Sequence, residues 1–372
     1  MRLKCDREQM LHVFQIAASV APSRSPKPIL QNAKLSATDD GVVLMATDLD
    51  VGIRIDAGGC TVETAGDVLL PIGRFLGILR ESSDEQLTIE WDGGRTRVWG
   101  QRSEFQLPSA NPEEFPTVEA FRADKYYELS TRFFKEAVRR TVFATDSEST
   151  RYALGGVLLE LAGKSMTAIA TDGRRLAKQT GPGAASSPEG SGEQAAIVPT
   201  RAMQLMDRAL TNLEEDLALA VCDNDVLLKS SNTTIFARLV EGRFPKWRDV
   251  FPASDASAAV DLTVGPFFSA VRQAAIVTSE ERRGVDFNFG AGKVTLAAHG
   301  AELGESHIEL PIAYEGPEIL ITLDPRYLSD FLKVLDPDQT FRLQLQNAET
   351  AAVCETDDGY AYVIMPLARS NA

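Results

Sequence analysis

Two pairs of neighbouring carboxylates could serve acid–base work: Asp48 with Asp50, and Asp357 with Asp358. Such chemistry needs a histidine, a metal cluster or a phosphate-cradling glycine loop beside them. The chain has three histidines, His12, His299 and His307, and none has a visible partner in the sequence. No GxxxxGK[ST] segment occurs. Cys5, Cys60, Cys222 and Cys354 are scattered without CxxC spacing, so no zinc or redox motif is indicated and a reducing cytoplasm is the expected compartment. The aspartate pairs read as turn formers. An enzyme is therefore the rival class, and the expectation is a chain with no catalytic residues, no metal and no cofactor.

The remaining chemistry is cationic. Thr171-Asp172-Gly173-Arg174-Arg175-Leu176-Ala177 follows the apolar run Met166 to Ala170 and alternates back towards Lys178. Asp-Gly is a two-residue hairpin signal, because Gly accepts the positive φ that such a turn needs. The spacing predicts a stiff bend with Arg174 and Arg175 at its lip. Thr47-Asp48-Leu49-Asp50-Val51 stands at the matching place earlier in the chain, which suggests a shared structural turn. Only the later copy carries Gly-Arg-Arg.

That match belongs to a longer repeat. Amphipathic helices are predicted over Asp6 to Ala21, Ser130 to Thr145 and Pro266 to Ser279. A second set is led by Pro71, Pro199 and Pro325, spaced 128 and 126 residues apart, with Pro expected in the first turn. Late strands follow at Glu104 to Pro108, Ile235 to Leu239 and Tyr362 to Pro366. Short alternating strands such as Val42 to Ala46, Gln86 to Trp91 and Arg95 to Trp99 lie between. Joints are expected at Pro116 to Asp124 and Ala253 to Ala259, and a surface loop at Gly181 to Gln194.

The formal net charge of −15 excludes a surface coated in base, but not a basic face on an acidic body. The helices show such a face. Arg201 and Arg208 lie opposite an apolar stripe of Ala202, Leu205, Met206 and Ala209. Arg326 and Lys333 face away from Tyr327, Leu328, Phe331, Leu332 and Leu335. Arg132, Lys135 and Arg139 lie opposite Phe134, Ala137 and Val138. Arg74 and Arg80 flank the first Pro-led helix, and Arg272 reads as opposite Phe268 and Val271. For one helix this is an ordinary solvated face. On equivalent helices of an acidic chain it suits a polyanion held by its phosphates. No aromatics interleave, so stacking on single strands is not indicated. Residues 1–20 carry Asp6, Arg7, Glu8 and His12, unlike a signal peptide, and no apolar run reaches membrane-spanning length.

At this point the chain resembles the bacterial DNA polymerase III β-subunit family, the replication sliding clamps, over residues 1–372. The resemblance rests on Pro28-Ile-Leu-Gln-Asn32, Thr171 to Ala177, Glu241-Gly-Arg-Phe-Pro245 and Tyr362-Val-Ile-Met-Pro366, in this order within the threefold repeat. It implies an α+β fold of three repeated clamp-type domains, 1–121, 122–254 and 255–372. Each would lay two helices on one face of antiparallel sheets, and a head-to-tail homodimer would close a ring around double-stranded DNA, bound without regard to sequence. It implies no catalysis, a cytoplasmic, nucleoid-associated location, no membrane, and a processivity role. Its partners would be the DNA polymerase III alpha subunit, the clamp-loader delta subunit and other proteins carrying a short clamp motif.

The peptide pocket of the family maps onto Leu154, Thr171, Gly173, Arg174, Arg175, Leu176, Pro245, Val250, Val363, Ile364, Met365, Pro366 and Leu367. Leu176, Val363, Met365 and Leu367 would form its cavity, at the exposed edge of the last strand, with both arginines at the rim. Arg24 matches a DNA contact. Phe105 and Leu107 match one side of the subunit boundary, and Ile276 and Val277 the other. Ile276 falls on the polar side of its predicted helix, where an apolar residue needs a partner. The chain departs from the family pattern at Arg282, where an aromatic is usual, at Arg174, where some members have His, at Glu148, which is no phosphate ligand, and in running six residues past Pro366 to Ala372. A scaffold that binds peptides but not DNA is a second rival. It would keep the pocket without needing basic helices.

Overall fold

The computed structural model describes residues 1–146, 148, 153–185, 193–252, 256–280, 282–300 and 303–368. Half of the expected loop (186–192), part of the second joint (253–255) and the terminal 369–372 lie outside the described residues. The chain divides into two compact units, residues 1–135 with 183–239, and residues 136–182 with 240–372.

Six α-helices occur among the described residues: α1 Arg7–Val20, α2 Ile72–Glu81, α3 Thr131–Thr141, α4 Thr200–Ala209, α5 Val264–Ala274 and α6 Pro325–Leu332. Helices α3 and α4 bury the whole apolar stripe read from the sequence, and α6 buries its stripe apart from half-buried Tyr327. In α1 the buried positions are Met10, Val13, Phe14, Ile16, Ala17 and Val20. Asp6 caps this helix by accepting the Gln9 N–H. In the first unit Phe14 meets Phe75 of α2, with ring centroids 4.6 Å apart. Each such fully buried ring contributes roughly 1.5–3 kcal/mol. Two expectations need correction. Pro71 and Pro199 are N-cap residues just outside their helices, and only Pro325 lies in a first turn. Phe268 is not opposite Arg272: the two are i and i+4, and the guanidinium lies 5.7 Å from the Phe268 ring centroid. Phe267 is the buried aromatic of α5.

Within each unit the strand ladders among the described residues are antiparallel. In the first unit a five-stranded sheet runs in the order 60–64, 2–6, 86–91, 95–99, 104–108. A nine-stranded sheet runs 184–185, 127–130, 216–221, 225–229, 233–238, 51–56, 41–47, 32–38, 66–71. In the second unit one sheet runs 304–311, 293–300, 285–290, 319–323. Another contains 156–162, 165–171, 175–182, 360–364, 352–355, 340–345 and 258–263 in that order.

Two joints within these sheets are equivalent. Val51–Asp56 pairs with Thr233–Arg238, placing Ile53 opposite Ile235. Arg175–Pro182 pairs with Tyr360–Ile364, placing Ala177 opposite Tyr362. In each, the third long hairpin strand of one repeat meets the last strand of the next repeat. The third members of these two sets are Gly304–Pro311 and Glu104–Pro108. Among the described residues each pairs on one side only and ends its sheet.

Candidate functional site

The Thr171 turn is wider than a two-residue hairpin. The ladder closes at Thr171–Leu176, leaving four residues between. The Thr171 hydroxyl donates to the Arg175 carbonyl at 2.6 Å and accepts the Gly173 N–H at 3.1 Å. One Asp172 carboxylate oxygen accepts the N–H groups of Arg174 and Arg175 at 2.9 and 3.0 Å. Gly173 sits at φ +84. The earlier copy is wound the same way: Thr47 bonds Val51 and Leu49, and Asp48 bonds the N–H groups of Asp50 and Val51. Its Leu49 takes φ +85, the conformation glycine holds in the later copy.

The two arginines do different work. Arg174 is exposed. The Arg175 side chain is only 11% exposed, held by Asp172 at 2.9 Å and Asp330 at 2.7 Å. It also donates to the Phe143 carbonyl at 2.8 Å and lies 4.6 Å from the Tyr327 ring centroid. Burial opposes its charge, but Tyr362, Asp330 and Asp172 outweigh burial and push its pKa up, so it stays protonated. Arg175 is therefore a positioning residue, not the free rim cation expected from the sequence.

The last strand is corrected too. Tyr360–Ile364 is not an edge: it is hydrogen-bonded on both sides, to Arg175–Pro182 and to Ala352–Glu355. Val363, Ile364 and Leu176 are wholly buried, and Thr171 and Leu154 nearly so. These side chains offer little or no surface. What reaches the surface is the segment just after the strand. The Met365 N–H donates to the Arg174 carbonyl at 2.9 Å, tying this exit to the turn. Met365 is 42% exposed, and Pro366 and Leu367 are half-buried. The Leu367 N–H donates to the Thr322 carbonyl at 2.9 Å. Beside them runs a groove of about 570 Å³ lined by Leu320, Thr322, Ala348, Glu349, Pro366, Leu367 and Ala368. The sequence reading missed Leu320, Thr322 and Ala348. Their only signal was position in a strand or turn beside the last repeat's helix.

Pro245 and Val250 sit on the segment after the middle repeat's last strand, with Pro245 half-buried and Val250 exposed. That segment is anchored by Trp247 and Arg248, which both donate to Glu160, at 3.0 and 2.7 Å.

Of the predicted phosphate-facing cations, Arg24, Arg74, Arg80, Arg139, Arg208 and Arg272 are exposed with no ion pair among the described residues. Others are partly engaged. Arg201 pairs with Asp48 at 2.6 Å, Arg326 with Asp324 at 2.6 Å, Lys135 with Asp207 at 3.1 Å, Lys333 with Asp330 at 3.6 Å, and Arg132 with Glu214. Glu148 is exposed and bonds Asp146 through its N–H.

At the chain's sheet ends, Phe105 is 37% exposed, whereas Leu107 is already buried. Ile276 is 76% exposed, in a 3-10 turn that extends α5, not in the helix itself. Val277 is half-buried. Leu303, which the sequence reading missed, is 56% exposed. A Cβ at Gly300 would meet both Val277 and Leu303, so these residues are neighbours.

Comparison with known proteins covers almost the whole chain. Family models described as DNA polymerase III beta subunit match as N-terminal domain over residues 1–119, central domain over 128–246 and C-terminal domain over 248–368. The beta sliding clamp of Caulobacter vibrioides is 29% identical over 376 residues, covering 99% of this chain and 100% of that protein. That of Chlamydia trachomatis serovar D is 27% identical over 368 residues, covering 99% and 87%. The DNA polymerase III subunit beta of Pseudomonas aeruginosa superposes with a TM-score of 0.91 at 26% identity, covering 99% and 100%. The Bacillus subtilis sliding clamp superposes at 0.92 with 24% identity and full coverage of both chains, which speaks to the fold. A Pseudomonas aeruginosa clamp has also been solved bound to griselimycin.

Proposed function

The chain belongs to the DNA polymerase III beta subunit family of sliding clamps, and from that membership we propose that two copies close head to tail into a ring around duplex DNA. The ring tethers the replicative polymerase by topology and performs no chemistry of its own. One observation carries the dimer. Two equivalent strand joints are made within the chain, and the third pair of equivalent strands, Glu104–Pro108 and Gly304–Pro311, has open edges among the described residues. An open edge is a template for another chain. Exposed Phe105 lies on one, and exposed Ile276 and Leu303 lie beside the other. Each edge completes the other on a second copy, so the repeat pattern itself supports the assembly.

Within that ring the three domains span 1–121, 122–254 and 255–372. The unpaired cations Arg24, Arg74, Arg80, Arg139, Arg208 and Arg272 carry most of the phosphate contact, with the ion-paired set contributing less. Contacts to phosphate alone carry no sequence information and let the ring slide. The exit segment Met365–Leu367, Arg174 and the adjoining groove receive a short peptide from the polymerase alpha subunit, the clamp-loader delta subunit and other clamp-motif proteins. The expected compartment is the cytoplasm, on the nucleoid.

Light scattering on the eluting protein tests the dimer: two chains per particle at micromolar concentration is the expected result, and a monomer there overturns the ring. Retention on circular against linearised DNA after loading tests the topology. Loss from the linear form alone is expected, and equal loss from both removes the claim.

A further inference from the structure

The five-stranded sheet of the first unit ends on Cys60–Thr64, which pairs only with Arg2–Asp6 among the described residues. In that ladder Cys5 stands directly opposite Cys60. The Asp6 N–H donates to the Gly59 carbonyl at 2.9 Å, which makes Asp6 and Gly59 a hydrogen-bonded pair. The pattern alternates along an antiparallel ladder, so Cys5 and Cys60 are a non-hydrogen-bonded pair. Residues opposed in this way lie about 4.5 Å apart at Cα and point their side chains to one face. A disulfide spans Cα separations of about 4.4–6.8 Å, so the pair sits at the short end of that window. Both thiols are free. Cys5 is buried and donates to the Leu87 carbonyl at 3.6 Å, and half-buried Cys60 donates to the Gly58 carbonyl at 3.5 Å. These are weak bonds that a side-chain rotation releases.

We propose that Cys5 and Cys60 form a reversible cross-strand disulfide site, closed by exchange with a small-molecule disulfide of the glutathione type. The Cys60 thiolate, the more accessible of the two, attacks one sulfur of the small disulfide. That S–S bond breaks, and the first small thiol leaves with a proton. The Cys5 thiolate then attacks the Cys60 sulfur of the mixed disulfide, whose bond breaks to release the second small thiol. The two cysteines lose two electrons and two protons, and the small disulfide gains them as two thiols.

The environment sets the rate. Burial, then the Asp6 carboxylate, pushes Cys60 up to about 11. Burial, then Cys60 itself and Asp6, pushes Cys5 up to about 12. Only the thiolate attacks, so exchange is slow at neutral pH and accelerates up to about tenfold per pH unit below these values. The site answers to sustained oxidation and ignores brief exposure. Once closed, it staples the outermost strand of the sheet to the one strand it pairs with among the described residues.

The test incubates the full chain with millimolar oxidised glutathione at mildly alkaline pH, then alkylates it and maps the peptides by mass spectrometry. The expected result is a Cys5–Cys60 cross-linked peptide that dithiothreitol reverses, with a melting temperature several degrees above that of the reduced protein. Exposed Cys222 reports that the oxidant is active, by holding a glutathione adduct. In Cys60→Ser, Cys5 should remain an alkylatable thiol. A persistent glutathione adduct on Cys60 with Cys5 still free overturns the proposal, as does a reduced pair beside a modified Cys222. Neither result bears on the ring.

Discussion

Arg174 and Arg175 are adjacent and equally charged, yet they occupy opposite regimes. Arg175 is locked between Asp172 and Asp330 under two aromatic rings. Arg175→Ala would strand both carboxylates, and a loss of about 3–5 kcal/mol in urea unfolding is expected. Arg174→Ala should change stability by less than about 0.5 kcal/mol while weakening peptide affinity in a titration. Equal destabilisation by both changes would show that the division is wrong. Gly173 supplies a further test. A Cβ there would meet nothing within 4 Å, so Gly173→Ala should cost only the backbone term, about 1–2 kcal/mol. Leu49 shows that the twin turn already tolerates a side chain at this φ. The sequence made both turns legible through Thr-Asp. It could not separate the arginines, because Asp330, Phe143 and Tyr327 are distant in sequence and only the fold brings them to Arg175.

Among the elements, α3 is held to the middle–last joint by a buried cation. Arg140 bonds Gln179 and Asp358 at 2.8 Å each and Glu136 at 2.7 Å, and lies 5.0 Å from the Tyr360 ring centroid. The Tyr360 hydroxyl donates to the Arg140 carbonyl at 2.9 Å. Arg140→Met should therefore loosen the contact of α3 with both strands, seen as faster amide exchange in 175–182 and 360–364. Asp358 gives the joint an acid limb. Burial raises its pKa, but the hydrogen bonds from Arg140 and Thr356 outweigh burial, so the folded value is lowered. A lowered carboxyl contributes its stability above the unfolded pKa and loses it as pH falls through the folded one. Asp358→Asn should flatten the fall in stability below about pH 4, the ordinary aspartate range. An unchanged acid profile would remove Asp358 from this role. The amphipathic pattern of α3 was plain in the sequence, with Phe134, Ala137 and Val138 all buried. Arg140 was not, since an arginine beside Arg139 reads as solvated until a second strand pair closes over it.

For the whole molecule the open edges decide the outcome. Along Glu104–Pro108 the Gly100 N–H bonds Ser103, so the alternation sends the backbone groups of Phe105 and Leu107 inwards to the neighbouring strand and those of Gln106 outwards. Gln106→Pro removes one outward N–H and leaves the internal ladder intact. It should convert the particle to a monomer in light scattering with its circular dichroism unchanged. A variant that stays dimeric would place the contact elsewhere. The threefold repeat was legible from proline spacing and helix faces alone. The free edges were not, because pairing along a strand is a property of neighbours, and the last strand was read as open when it is enclosed. The joints also differ in how they respond to dilution. The two made within the chain are covalently tethered, so their partners meet at an effective concentration that dilution cannot change. The joint between copies has no tether and obeys mass action. In the proposed ring it is therefore the contact suited to act as the gate, parting to admit a duplex while each chain keeps its fold.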